Sequence, residues 1–519
     1  MDPTQDLQAE ARARGQRAFG EHRWDDAIAA FGEALALGED ADLLADLGAV
    51  HQRSWRLARA SELYRQALAL ESGHVLALSR LASACQAMLQ PELALTYRSR
   101  VLELVAERPC SREGVAAFGD YIFTATCLWP FAQVADAIRR LGPHHLPRSS
   151  REWQALPPGP ERRIRLGYLS ADFHQHSVMY LLEPLFIHSD RERFEIFCYY
   201  NGRKRDDITA WLERHTHFRS ILAHTDKQAD FLMRSDRLDL LVDLSGYSAG
   251  RRLSLLARKP APRLATGLGF TRPLGFAGSD YALLDPWVFS DADAARVPET
   301  IVRIPGNLYY RPQPELELRA PGHQGLVFGS ANNLYKLNGP VLDCWAEILR
   351  SVPGAVLRLK TRALSDPQVL EDVCRRFGER GIDPGRIQGS GQASRPEMMA
   401  WYHGVDICLD PFPYQGGITS CEALYMGCPV ISLAAGGTNT TLSLLRATGL
   451  DTDICASEAD YIARALTLAS QIGAAPPEQR LARRHQIRER ICRSPVFDPV
   501  RFVTGIEAAY EFICSQPGI

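Results

Sequence analysis

The chain has 519 residues, which corresponds to two to four domains at roughly 100–200 residues each. Its 59 Lys and Arg against 61 Asp and Glu leave a net charge of −2, which argues against a protein that coats nucleic acid and needs a basic excess. With 46% hydrophobic and 23% charged residues, the composition is that of a folded globular protein rather than a disordered one.

Further features of the whole chain predict a cytoplasmic protein that does not bind membranes. Uninterrupted apolar runs, such as residues 196–200, are far shorter than the roughly 20 residues that cross a bilayer. The amino-terminal residues have neither the basic nor the apolar region of a secretory signal. The twelve cysteines include no CxxC pair and no His/Cys cluster at zinc spacing, so we expect reduced thiols and no metal site.

The first hundred residues contain three units that repeat every 33 or 34 residues. Each unit has an alanine at the same place, with a small residue twelve positions before it and, in the first two units, an aromatic residue four positions after it. These residues are Ala27, Ala60 and Ala94, then Gly15, Gly48 and Ala82, then Phe31 and Tyr64. The small residues let two antiparallel helices approach closely, and the aromatic ring fills the space beside them.

This pattern resembles the tetratricopeptide repeat, so residues 1–105 are predicted to form a short α-helical solenoid. The third unit is degenerate, with Arg98 in place of the aromatic residue. The concave face of such a solenoid commonly binds a protein or peptide, but the helices can equally cap or dimerise the chain. Residues 106–162 are predicted to form a connector that is helical over 114–141 and then becomes a proline-rich linker.

From residue 163 onward, short β-branched or aliphatic runs alternate with helical patterns. The predicted strands are 164–170, 194–200, 238–243, 264–270, 281–284 and 301–304, followed by 326–329, 355–359, 406–409 and 429–433. The predicted intervening helices include 339–352, 367–380 and 396–403. This alternation predicts an α/β architecture of two Rossmann-like domains, 163–320 and 321–519, with a final helix over 500–515 that packs back across both. In such sheets, ligands bind at the carboxyl ends of the strands.

The most informative motif follows the predicted strand 406–409. Gly416 and Gly417 let the backbone approach a ligand, and Ile418 and Thr419 present N–H groups at a helix amino terminus. Those N–H groups and the helix dipole suit a diphosphate. Glu422, one turn into the helix, is placed to accept hydrogen bonds from ribose hydroxyls. A Gly-Gly turn taken alone is more often structural, and its position after a buried strand favours the binding interpretation.

Two other strand ends carry candidate site residues. Lys336 lies in the loop after strand 326–329, where its point charge can reach a phosphate group. Asn333, in the same loop, can hydrogen-bond the molecule that carries this phosphate or stabilise the turn. His174 and His176 follow strand 164–170, and we favour a surface role for His174 and a functional one for His176. Asp243, at the end of another strand, either shapes the acceptor side or caps a helix.

These motifs, in this order and after the repeats, resemble the protein O-GlcNAc transferase/SPINDLY family of GT-B glycosyltransferases. The resemblance extends over residues 163 to about 470. Further matching segments are 258–262 (RKPAP), 278–281 (GSDY), 405–410 (VDICLD) and 426–430 (MGCPV).

The resemblance implies inverting, metal-independent transfer of a sugar from a nucleotide sugar, with no cofactor, to Ser or Thr hydroxyls of a protein acceptor. It places Lys336 at the leaving diphosphate and Asn333 beside the donor. Arg395 stands where the family has a lysine, and Thr419 lies with Gly416, Gly417 and Ile418 in the phosphate loop. Glu422 occupies the ribose position. His176 occupies the active-site histidine position, either as the base or only as an orienting group.

Several positions depart from the family pattern and bear on the sugar and the nucleotide base. Met398 replaces a histidine beside the base, and Asn439 stands near an expected arginine. The phosphate loop reads Gly-Gly-Ile-Thr, and residues 268–271 read Leu-Gly-Phe-Thr where Leu-Gly-Tyr-Pro is expected. The predicted donor is UDP-GlcNAc. The alternatives are GDP-fucose, a flagellin-modifying donor, or a catalytically weak binding platform.

Overall fold

The computed structural model describes residues 3–147, 162–306, 308–311 and 316–516. The chain forms two compact units, one of Met1–Arg108 with Gln324–Met398 and the other of Pro109–His323 with Met399–Ile519. The domain boundaries inferred from the sequence stay a prediction, and most of the predicted linker, residues 148–161, lies outside the described residues.

The first unit begins with six antiparallel helices. They are α1 Pro3–Gly20, α2 Trp24–Leu37, α3 Ala41–Arg53, α4 Leu57–Leu70, α5 Val75–Ala87 and α6 Pro91–Leu104. A Cβ atom on Gly15 would lie 2.9 Å from the Phe31 ring, and one on Gly48 would lie 2.5 Å from the Tyr64 ring. The predicted close approach of paired helices is therefore confirmed. In the third repeat, Arg98 is buried and donates hydrogen bonds to the Ser79 carbonyl and the Ser83 hydroxyl.

The second unit begins with two helices, in the region that was predicted to be helical over 114–141. These are α7 Arg112–Leu128 and α8 Phe131–His145. Pro130 lies between them, and the residue before a proline is disfavoured in the helical conformation. The helical region therefore consists of two helices, with a break at residues 129–130.

A seven-stranded parallel sheet follows in the second unit. Its strands are β1 Ile164–Ser170, β2 Phe194–Tyr200, β3 His217–Ser220, β4 Leu240–Asp243, β5 Leu264–Gly267, β6 Tyr281–Leu284 and β7 Thr300–Arg303, in the order β3-β2-β1-β4-β5-β6-β7. Its helices are α9 Ser177–Ile187, α10 Asp207–His215, α11 Asp226–Ser235, α12 Leu253–Leu256 and α13 Asp291–Ala294. The central strands β4, β5 and β6 are completely buried, which explains their continuous apolar sequence.

The second α/β series contributes strands to both units. In the first unit, β8 Val327–Ser330, β9 Val356–Lys360 and β10 Ile387–Ser390 pair in parallel with β9 in the centre. In the second unit, β11 Ile407–Leu409, β12 Val430–Leu433 and β13 Ile454–Cys455 pair in parallel with β12 in the centre. The helices of this series are α14 Gly339–Ser351, α15 Pro367–Gly378, α16 Arg395–Trp401, α17 Ile418–Tyr425, α18 Thr440–Ala447, α19 Glu458–Gly473, α20 Pro477–Cys492 and α21 Pro499–Ser515.

The carboxyl-terminal helix α21 packs on the seven-stranded sheet. The Tyr510 hydroxyl lies 3.1 Å from the Tyr168 hydroxyl of β1. The Glu507 carboxylate accepts hydrogen bonds from the Ser189 hydroxyl and the Asp190 N–H, both at 2.8 Å. The last helix of the chain therefore packs on the first sheet, although it follows the second α/β series in the sequence. None of the described helices is both long and apolar enough to cross a membrane.

Candidate active site

The glycine-rich loop after β11 is built around a buried aspartate. Asp410 has 1% of its surface exposed, and its Oδ1 accepts the Gly416 N–H at 2.8 Å. Its Oδ2 accepts the Ser432 hydroxyl at 2.7 Å, and its carbonyl accepts the Tyr461 hydroxyl at 3.0 Å. These bonds fix both ends of the turn that leads from the strand to α17.

The two loop glycines have different surroundings. A Cβ atom on Gly416 would lie 2.2 Å from the Ser420 Oγ and 2.8 Å from the Asp410 Oδ1, so only glycine fits there. A Cβ atom on Gly417 would meet no atom within 4 Å. Gly417 directly precedes α17, and Ile418 and Thr419 form its partly exposed first turn. The space for a ligand therefore lies at Gly417 and the helix amino terminus, where backbone N–H groups favour an anion.

Gln415 connects this loop to the amino terminus of α18. Its side-chain amide donates to the Leu433 carbonyl at 2.7 Å, and its Oε1 accepts the N–H groups of Thr441 and Leu442 at 3.0 and 3.2 Å. Its own N–H donates to the Thr438 hydroxyl at 2.9 Å. Asn439, which lies near the position where the family pattern has an arginine, has φ 46° and immediately precedes α18. The Gln415 side chain and the Thr438 hydroxyl thus tie the loop to the end of β12 and to the amino terminus of α18.

Glu422 is buried below the loop, with 2% of its surface exposed. Its Oε2 lies 3.5 Å from the Tyr402 hydroxyl, and the same hydroxyl lies 3.0 Å from the Thr419 carbonyl. Tyr402 therefore joins Glu422 to the first turn of α17. That Glu422 accepts hydrogen bonds from the ribose hydroxyls of a nucleotide stays a prediction.

Lys336 is the last residue of a 3-10 turn, Leu334–Lys336, in the first unit. Its Nζ donates to the Asn332 Oδ1 at 3.1 Å, and the Asn332 amide donates to the Ser330 hydroxyl at the end of β8 at 3.3 Å. Asn333 accepts a hydrogen bond from the Thr361 hydroxyl at 3.2 Å. Asn332, which the sequence did not single out, therefore aims the lysine from the end of the strand.

Arg395 begins α16 in the same unit, and its side chain is half-buried. Lys360, at the end of β9, is buried, and burial lowers the pKa of its ammonium. Its Nζ lies 3.5 Å from the Gly391 carbonyl. This unit therefore places Lys336, Lys360 and Arg395 on segments that follow or end its strands. The proposed roles of Lys336, Asn333 and Arg395 stay predictions.

His176 is the residue before α9 in the second unit, with 40% of its side chain exposed. Its Nδ1 lies 3.4 Å from the Val178 N–H and 3.6 Å from the Asp172 Oδ2. If Nδ1 accepts from Val178, Nε2 carries the hydrogen; if Nδ1–H turns to Asp172, Nε2 becomes an acceptor. Only the second tautomer can remove a proton through Nε2.

His174 is buried, unlike the surface histidine that we predicted. Only 7% of its surface is exposed, and burial, followed by the nearby His176, lowers the pKa of its imidazole. The Tyr200 hydroxyl lies 3.5 Å from its Nδ1. His174 therefore packs against the carboxyl end of β2, because Ser170 and Tyr200 end the paired strands side by side and the loop after β1 begins there.

Asp243 ends β4 and is completely buried. It accepts the Gly246 N–H at 2.7 Å and the Ser245 N–H at 3.4 Å, so it closes a turn rather than capping a helix. Burial raises the pKa of this carboxyl to about 7.

Comparison with known proteins identifies the chain's family. Residues 147–302 and 317–506 match the model of glycosyl transferase family 41. The chain belongs to this family. The rice protein named as a probable UDP-N-acetylglucosamine–peptide N-acetylglucosaminyltransferase SPINDLY is 32% identical over 369 residues, which cover 68% of this chain and 39% of the relative. An Arabidopsis thaliana protein, the probable transferase SEC of the same type, is 28% identical over 68% of this chain and 37% of its own length.

A solved structure extends the similarity to nearly the whole chain. The O-GlcNAc transferase of Thermobaculum terrenum superposes with a TM-score of 0.86 at 28% sequence identity, over 99% of this chain and 98% of that one. This family 41 chain spans about two fifths of the length of the curated plant relatives. The predicted fold, an all-α repeat solenoid followed by two Rossmann-like domains of the GT-B type, is confirmed.

Proposed function

We propose that this family 41 chain is a protein O-glycosyltransferase that transfers GlcNAc from UDP-GlcNAc to Ser or Thr hydroxyls. The observation that carries the proposal is the Gly416–Thr419 loop, which Asp410 and Gln415 hold rigid around open space at Gly417. A diphosphate fits that space because helix-end N–H groups supply fixed hydrogen-bond donors.

In the proposed reaction, negative charge develops on the departing diphosphate. The acceptor hydroxyl oxygen attacks the sugar C1 and forms the new glycosidic bond, while the bond from C1 to the diphosphate breaks and UDP departs with inversion. The hydroxyl proton passes to Nε2 of His176, in the tautomer whose Nδ1–H turns to Asp172. Lys336 and the α17 N–H groups stabilise the departing diphosphate more than the bound donor, because its charge grows in the transition state.

The partners and compartment are part of the same proposal. The acceptor is a protein or peptide that the repeats bind, and the site of action is the cytoplasm, where the twelve free cysteines stay reduced. The transfer requires no metal or other cofactor.

The test is a panel of nucleotide sugars incubated with the full chain and a serine-containing acceptor, with released nucleotide as the readout. We expect UDP release from UDP-GlcNAc to exceed GDP release from GDP-fucose by at least tenfold, and EDTA to leave the rate unchanged. Absence of any nucleotide binding, measured by calorimetry and by protection against heat, would refute the proposal. Ligand at about 100 times its dissociation constant adds ~2.7 kcal/mol of stability.

A further inference from the structure

The loop that carries His176 joins β1 to α9 and consists of residues 171–176, which form neither a helix nor a strand. We call it the histidine loop. Two hydrogen bonds shape its first half: the Asp172 N–H donates to the Ser170 hydroxyl at 3.0 Å, and the His174 N–H donates to the Asp172 carbonyl at 2.7 Å. The second half, next to His176, is held from another part of the chain.

The first turn of α10 holds the histidine loop through two side chains. The Asp206 Oδ2 accepts the Gln175 N–H at 2.6 Å, and the Thr209 hydroxyl donates to the Phe173 carbonyl at 2.7 Å. Thr209 and Phe173 have 1% and 0% of their surface exposed, so water does not compete for their bond. The acceptor of the 2.6 Å bond is a carboxylate, and hydrogen bonds to an ionised acceptor are the stronger kind. The helix therefore binds the loop on both sides of His174.

Asp206 divides its two carboxylate oxygens between the helix and the loop. While Oδ2 binds the loop, Oδ1 accepts the N–H groups of Ile208 and Thr209 at 3.0 and 3.3 Å and so caps α10. A helix cap needs only one such oxygen. Thr225, which caps α11 in the same unit, bonds only residues of its own helix among those that the structure describes. The second oxygen of Asp206 therefore serves the loop and not the helix.

The orientation of the His176 imidazole depends on where the backbone places it. The contacts of its Nδ1 with the Val178 N–H and the Asp172 Oδ2 are long, 3.4 and 3.6 Å, and 40% of the side chain is exposed. Contacts of that length do not fix a ring by themselves. The position of Nε2 therefore follows the backbone at Gln175, which the Asp206 carboxylate holds.

We propose that Asp206, together with Thr209, is a positioning residue for His176. It acts through the Gln175 N–H and keeps Nε2 where the imidazole can take the proton of the acceptor hydroxyl. This inference rests on the proposed transfer reaction, in which His176 accepts that proton. A displacement of about 1 Å in such a group can lower a rate by about 100-fold.

The test compares two helix-cap variants of the full chain, Asp206→Ala and Thr225→Ala. Each removes the side-chain cap of one helix in the same unit, so both should lower the Tm slightly. Only Asp206→Ala should lower kcat, by about tenfold or more, with the KM for UDP-GlcNAc and the UDP affinity unchanged. Thr209→Val, which loses the hydroxyl, should lower kcat in the same way, and Thr209→Ser, which keeps it, should restore the rate.

A second measurement does not depend on turnover. The chain has 14 histidines, and in a histidine-labelled sample the ring signal of His176 in the nuclear magnetic resonance spectrum can be assigned by its loss in His176→Gln. We expect this signal to shift in Asp206→Ala and in Thr209→Val, because the loop moves in both. It should stay in place in Thr225→Ala.

An unmoved His176 signal in Asp206→Ala, an unchanged kcat in that variant, or a kcat that falls equally in both cap variants would overturn the positioning role. Full kcat in His176→Gln would instead contradict the proposed reaction. In that case the His176 signal still decides whether Asp206 positions the ring, so the two failures are distinguishable.

Discussion

The Asp410 carboxylate accepts the backbone N–H of Gly416 at 2.8 Å, across a five-residue turn that the Gln415 side chain also ties to the Leu433 carbonyl. Asp410→Ala leaves that N–H and the Ser432 hydroxyl without their buried acceptor, which costs about 1–3 kcal/mol. We expect UDP affinity, measured by calorimetry, to fall about tenfold or more. Asp410→Asn, which keeps one acceptor oxygen, should recover most of the loss. Equal UDP affinity in the alanine variant would show that the turn holds its shape without Asp410.

The neighbouring glycines give a matched pair of substitutions. Gly417→Ala adds a methyl group where no atom lies within 4 Å, so the variant should fold with an unchanged Tm but lose UDP affinity at least tenfold by filling the ligand space. Gly416→Ala places the same methyl group against Ser420 and Asp410, so it should also lower the Tm. Heat denaturation with and without UDP measures both effects. Normal UDP affinity in Gly417→Ala would place the diphosphate elsewhere.

Lys336 is predicted to act on the leaving group rather than on the fold. Lys336→Ala should lower kcat about 10²–10³-fold, the range seen when one preorganised stabiliser of a transition state is removed, and leave the Tm unchanged. Lys336→Arg should restore part of the rate because it keeps the charge. Asn332→Ala should lower kcat less, since it only frees the ammonium from its 3.1 Å contact. Retention of the wild-type kcat by Lys336→Ala in nucleotide-release assays would exclude Lys336 from the reaction.

Much of the fold was predictable because its strands are short apolar runs. The predicted strands 164–170 and 194–200 agree with β1 and β2 at both ends. The strand β3 was missed because every one of its residues is at least partly exposed, and β10 because only its first residue is buried. An exposed edge strand carries little of the apolar signal on which such predictions depend.

The glycine loop was predictable as a local motif, whereas its supports were not. Gln415 bonds the N–H of Thr441, 26 residues further along the chain, and no spacing in the sequence indicates that pairing. In the sequence, Asp410 is indistinguishable from an ordinary turn residue. In the structure, its two carboxylate oxygens accept hydrogen bonds from the Gly416 N–H and the Ser432 hydroxyl. Long-range hydrogen bonds of this kind depend on how the strands are ordered in space.

Asp243 makes the stability of the second unit depend on pH. Burial raises the pKa of its carboxyl from 3.8 to about 7, so the folded chain holds a proton that the unfolded chain has lost between these values. The stability that this proton contributes is complete below about pH 4 and is lost as the pH rises through 7, by up to about 4 kcal/mol. Asp243→Asn should therefore gain Tm relative to the wild type between pH 5 and pH 8. A difference in Tm that is constant over this range would show that the carboxyl ionises normally.

Arg272 is a buried cation whose guanidinium makes no hydrogen bond to any described residue. It lies 5.6 Å from the centre of the Phe131 ring, and burial lowers its pKa to about 10. Removing water from an unpaired charge costs several kcal/mol, so Arg272→Met should raise the Tm by several degrees, equivalent to about 1–4 kcal/mol.

The matched control is Arg263→Met, because Arg263 is equally buried but donates to the Gln516 carbonyl. Its removal takes a hydrogen-bond donor from the half-buried Gln516 carbonyl and should lower the Tm. Scanning calorimetry of both variants, without nucleotide, measures the contrast. If Arg272→Met lowers the Tm as much as Arg263→Met does, its guanidinium is satisfied by ordered water or a bound anion rather than buried without an acceptor.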